Sequence, residues 1–145
     1  MLSYQDIYHH FKTTQGVKDF AMNFHTVSIF ANVQQPKGLF IALEEEPDLL
    51  TAISNGAIAA IWKKDQLVPK YTPNDFPIIF VDDPASALEQ IGEEYIKNIE
   101  SKGYEMSTSF VFKAPNHSNE PYTYDFSTNH SRESFLSTLK GKRRG

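Results

Sequence analysis

The sequence predicts an α/β protein: a three-layer sandwich around a mixed sheet of about five strands, finished by a C-terminal β-hairpin and a short helix. Three observations predict it. Short apolar runs rich in β-formers alternate with segments whose apolar residues recur at helical spacing. Glycine and proline stand where such elements stop and start, as at Gly56 and Pro84. The chain of 145 residues is long enough to bury a core without staples.

The elements follow in order. Ser3 is placed to cap a helix reaching about Lys12, with Ile7, Tyr8 and Phe11 on one face and Gly16 beyond its end. Phe24 to Phe30 alternates and reads as a strand. Gly38 precedes the apolar run Leu39-Phe40-Ile41-Ala42-Leu43, short enough for a buried strand. Asp48 to Asn55 reads as a short helix with Leu49, Leu50 and Ile53 inward. Gly56 ends it, because a residue without Cβ tolerates the positive φ of a helix stop. Ala57 to Trp62 is the next strand.

A polar loop with Pro69 and Pro73 leads to the strand Pro77 to Val81. Asp83 then caps a long helix whose first residue is Pro84; Leu88, Ile91, Tyr95 and Ile99 form its apolar stripe. Met106 to Lys113 and Tyr122 to Phe126 read as two strands that add a hairpin to the sheet's edge, and Ser131 to Lys140 as a short helix. Residues 1–103 form the main domain of this reading. Residues 104–145 are an extension packed on it, with a basic tail at 140–145.

Composition narrows the function. No cysteine is present, so there is no disulfide, thiol nucleophile or cysteine metal site, and a cytoplasmic location is expected. The first twenty residues lack the apolar core of a signal peptide, and no apolar run is long enough to span a bilayer, so no membrane insertion is expected. The net charge of −4, with basic residues clustered only at Lys140, Lys142, Arg143 and Arg144, argues against a nucleic-acid partner.

The ordered set Val27-Ser28, Gly38 to Leu43, Ala52-Ile53-Ser54-Asn55-Gly56-Ala57-Ile58-Ala59-Ala60, Pro77 to Asp83 and Ala87-Leu88 resembles the N-terminal domain of the MurE and MurF group of Mur ligases. The resemblance covers about half the chain. In those enzymes this domain holds the UDP end of UDP-N-acetylmuramoyl peptide, and a central domain binds ATP. The resemblance therefore implies a ligand site at Ser28, Ala31 and Asn32, after the first strand, and at Glu44, Glu45 and Glu46, after the second.

The departures from the family are equally specific. No glycine-rich phosphate loop with its Lys and Ser or Thr follows the domain: Ser107 to Phe112 runs into Lys113-Ala114-Pro115-Asn116-His117-Ser118-Asn119. Phe30-Ala31-Asn32 replaces the family's Asp-Ser-Arg or Asp-Thr-Arg. Glu44-Glu45-Glu46-Pro47-Asp48 replaces a longer glycine-containing loop and puts four carboxylates where a diphosphate would lie, which repels it unless a divalent cation bridges.

Other constellations point to no chemistry. His9 and His10, adjacent on a helix, point about 100° apart and cannot share a metal without distortion. His25, His117 and His130 fall in no catalytic spacing. Asp82-Asp83 reads as helix capping and Trp62 as core or rim packing. Phe110, Phe112, Tyr122, Tyr124 and Phe126 read as cross-strand pairs or, alternatively, as an exposed aromatic face for a partner. The expectation is a non-catalytic, stand-alone relative of the Mur substrate domain. It has no catalytic residue, metal site or cofactor, and serves as a binding or regulatory module for a UDP-linked cell-wall precursor. A protein–protein adaptor that kept the fold and lost the nucleotide is the alternative.

Overall fold

A computed structural model describes residues 1–102, 107–116 and 119–144, with the side chains of 1–101, 107–116 and 119–140. The expected strand start at Met106, the boundary at 103, His117 and the side chains of Lys142, Arg143 and Arg144 lie outside the described residues.

The protein is α/β with a mixed seven-stranded sheet. Its elements in chain order are β1 (Leu2–Ser3), α1 (Tyr4–Tyr8), β2 (Thr14–Gln15), β3 (Asn23–Phe24), β4 (Thr26–Ser28), β5 (Gly38–Ile41), α2 (Leu49–Ser54), β6 (Ala57–Lys63), β7 (Ile78–Val81), α3 (Pro84–Lys102), β8 (Ser109–Lys113), β9 (Pro121–Tyr124) and α4 (Asn129–Arg144). The sheet order is β2-β7-β6-β5-β4-β8-β9, and β1 pairs separately with β3. The block β7-β6-β5-β4-β8 is wholly parallel, while β2 and β9 close its two ends antiparallel. The expected count of about five strands is thus corrected to seven. The parallel strands were visible as apolar runs, but the two-residue β2 carries no period to detect.

Strand alternation sorts the core into two layers. Leu39, Ile41, Ala59, Ile61, Ile79, Val81, Phe110 and Phe112 face the side covered by α1, α3 and α4. Phe40, Ala42, Ala60, Trp62 and Ile78 face α2 and the segment between β6 and β7. The register shifts between Gly38 and Leu39, whose partners are Ala57 and Ala59, so that Ile58 is the extra residue of a bulge. The connections from β4 through β7 run over the α2 face, and α3 returns from β7 to β8 over the other. Right-handed crossovers require this when the direction of travel along the sheet reverses.

Local chemistry explains several boundaries. Ser3 and Asp6 form a reciprocal capping box on α1, but that helix ends at Tyr8, well short of the expected Lys12. The expected strand from Phe24 to Phe30 breaks at His25, whose N–H bonds Lys37 O while its carbonyl accepts from Ser109 N. Gly56 takes φ +116°, and a Cβ there would stand 2.7 Å from Gln35 O, so backbone proximity as well as dihedral freedom requires glycine. The hairpin β8–β9 does lie at one end of the sheet, and α4 begins two residues earlier than expected and runs on to Arg144. Its aromatics are not an exposed face. Phe110, Phe112, Tyr124 and Phe126 are buried with Phe135, and Tyr122 alone of the five is exposed.

Candidate functional site

In parallel α/β sheets ligands gather at the carboxyl ends of the strands, particularly where neighbouring strands send their connections in different directions. Here that point lies between β4 and β8. Ser28 ends β4 and pairs with Val111, so Lys113 extends β8 two residues beyond it. Because Phe110 and Phe112 face the α3–α4 core, alternation places Val111 and Lys113 on the opposite face, the one that Ala31 packs against.

The turn after β4 is closed by its own hydrogen bonds. Ser28 is fully buried; its hydroxyl donates to Phe30 O at 2.8 Å and accepts from Phe30 N at 2.9 Å. Gln35 Nε2 donates to the same Phe30 carbonyl at 2.8 Å. Ala31 O accepts from Asn55 Nδ2 at 2.9 Å, which ties the turn back toward the amino end of β6. Asn32 is exposed. Of the first three candidate residues, only Asn32 therefore presents an uncommitted side chain.

Glu44, Glu45 and Glu46 follow β5 and are all exposed. A cavity of about 450 Å³ opens beside them, walled by Glu44, Glu45, Lys63, Asp65, Gln66 and the start of α3 at Asp83 to Ala85. No residue of the Ser28–Asn32 turn lines it. The structure thus separates the six candidate residues into a closed turn and an open acidic rim. Gln66 joins the rim to the next loop, since its side-chain amide donates to Glu45 O. The lysines here are paired within the same surface: Lys63 Nζ lies 3.9 Å from Asp65 and Lys64 Nζ 3.4 Å from Asp82.

Asp83 occupies the anion position at the start of α3 itself. Its carboxylate accepts from the Ser86 hydroxyl at 2.7 Å and from Ala85 N at 3.1 Å. The Ser86 bond chiefly, which outweighs the opposing cost of burial, with the Ala85 and Ser86 amides and Lys63 adding to it, holds the carboxyl below its ordinary 3.8. A carboxyl with a depressed folded pKa stabilises above its unfolded value and loses that contribution as pH falls through the folded one. Asp83→Ala is therefore expected to cost about 1 kcal/mol at neutral pH, the ordinary worth of an exposed cap. Thermal melts should show the difference shrinking below pH 3.8, and a pH-independent difference would refute the assignment.

The remaining constellations resolve as follows. His10 Nε2 meets Glu94 at 2.5 Å across a groove of about 490 Å³ between α1 and α3, with His9 at its rim. Among the described residues no group of three His, Asp or Glu is placed to hold a metal ion, and no helix is long and apolar enough to cross a membrane. Trp62 is buried, and its indole N–H donates to Gln66 O at 3.1 Å. Sequence reasoning missed Lys113. It lies far from Ser28 in the chain, and only the strand order brings the two strand ends together. No protein-family model matches the chain, and no curated protein matches it.

Proposed function

We infer that this chain is a non-catalytic binding module of the Mur substrate-domain type, directed at a UDP-linked cell-wall precursor. The observation that carries the reading is the parallel block β7-β6-β5-β4-β8 with Lys113 at the end of β8, at its switch point. A cation there offers a diphosphate the charge that the missing phosphate loop does not. Glu44 and Glu45 line a separate cavity, so magnesium is expected to strengthen binding by neutralising the diphosphate itself rather than by bridging to them. The role proposed is sensing or carrying rather than turnover.

The test is calorimetric titration of the chain with UDP and with UDP-N-acetylmuramoyl peptide, each with and without magnesium. The expected result is a saturable heat with the precursor, strengthened by magnesium and weakened about tenfold by Lys113→Ala, the loss of one charge-assisted contact. Absence of heat at millimolar ligand overturns the reading.

A further inference from the structure

We propose that the layer made by α2 and the segment between β6 and β7 is a docking surface for a basic, apolar-anchored segment of another protein. Three of the largest exposed apolar side chains fall on this layer: Leu67 is 91% exposed, Leu50 55% and Tyr71 50%. The neighbouring Val68 packs against the core cluster that contains Phe40, Trp62 and Phe76. Leu67 does not.

Hydrogen bonds connect these residues into one surface. Tyr71 Oη accepts from Leu50 N at 3.0 Å, which joins the far end of the loop to α2. Gln66 Nε2 donates to Glu45 O, which brings Leu67 beside the acidic rim. Between the two apolar ends stand Glu44, Glu45, Glu46 and Asp48, all exposed. The three glutamates enter no ion pair among the described residues. Lys63 and Lys64 are paired with Asp65 and Asp82, and Lys70 is the remaining cation on the loop.

The charge selects the occupant. An apolar surface split by uncompensated carboxylates favours a partner that alternates apolar anchors with cations, and it repels an anionic membrane. The cavity of about 450 Å³ that Glu44, Glu45 and Asp65 share adjoins this surface and is roomy enough for a lysine or arginine side chain. The apolar anchors then rest on Leu67 at one side and on Leu50 and Tyr71 at the other. The surface is separate from the switch point at Lys113, so this inference stands whether or not the chain binds a UDP-linked precursor.

The experiment is fluorescence anisotropy of the full chain with a labelled short peptide that alternates arginine with leucine and tryptophan. One control peptide carries glutamate for arginine, and another carries serine for leucine and tryptophan. The expected result is saturable binding of the first peptide alone, weakened at least about tenfold by Leu67→Ser and equally by the combined Glu44→Gln, Glu45→Gln and Glu46→Gln. Both changes lie on exposed side chains, so unchanged melting curves should accompany them. The pair Glu93→Gln and Glu120→Gln, carboxylates on other elements, should leave binding unaltered. Equal affinity for either control peptide, or indifference to Leu67→Ser, overturns the proposal. So does self-association of the chain that the glutamine triple abolishes, or co-sedimentation with anionic vesicles: the first makes a second copy the occupant and the second a membrane.

Discussion

Replacing Phe135 by Ala is expected to lower the unfolding free energy by about 3–5 kcal/mol, the largest single effect foreseen in this chain. Phe135 is fully buried on α4 and holds four rings at once, with centroids 5.2 Å from Phe110, 5.8 Å from Phe112, 5.4 Å from Tyr124 and 5.2 Å from Phe126. Its removal opens a cavity where α4 meets the β8–β9 hairpin, and the stacked Phe110 and Phe126 lose an edge-on partner. Gly92 on α3 is the reciprocal feature, because a Cβ there would stand 2.6 Å from Phe135 Cε2. Gly92→Ala alone should therefore destabilise by about 1–3 kcal/mol through overpacking, partly offset by its better helix propensity. In the Phe135→Ala background the added methyl enters vacated space and should stabilise instead. Urea titration of the double-mutant cycle reads this sign reversal, and simple additivity would show that the two residues do not share the contact.

The second large effect is expected at Thr108, which is fully buried just before β8. Its hydroxyl accepts from Leu2 N at 2.9 Å and donates to Phe24 O at 2.6 Å, while its own N–H donates to Tyr95 Oη at 2.7 Å. One side chain thereby fastens the β1–β3 pair to the sheet, and its backbone fastens α3 through Tyr95. Thr108→Val keeps the shape and strands a buried donor and a buried acceptor, each worth about 1–3 kcal/mol. Thr108→Ser retains the hydroxyl and should recover most of that loss. Chemical denaturation compares the two, and a valine variant within about 0.5 kcal/mol of the parent would remove Thr108 from this role.

These two sites mark how far the sequence could be read. The run Leu39 to Leu43 announces a strand because both its faces are buried, and a fully buried strand is apolar throughout. The stripe Leu88, Ile91, Tyr95 and Ile99 announces α3 for the matching reason at helical period, and all four are buried. Asp83 and Gly56 mark their element boundaries because capping and positive φ are local demands. What local chemistry does not encode was read less well: the extent of α1, the break at His25, and the antiparallel edge β2.

The candidate site divides along the same line. By itself the sequence determined that carboxylates crowd the end of β5, that residues 104–145 carry no phosphate-loop motif, and where β5, β6, β7 and α3 form. These depend on residue type and on spacing within one element. Tertiary structure alone decided that β8 lies beside β4, which brings Lys113 to the switch point. It also decided that the Ser28 hydroxyl is spent on its own turn and that the acidic rim belongs to a different cavity from that turn. Strand order and side-chain partners are set by which apolar faces can be buried together across the whole chain. No local window contains that information.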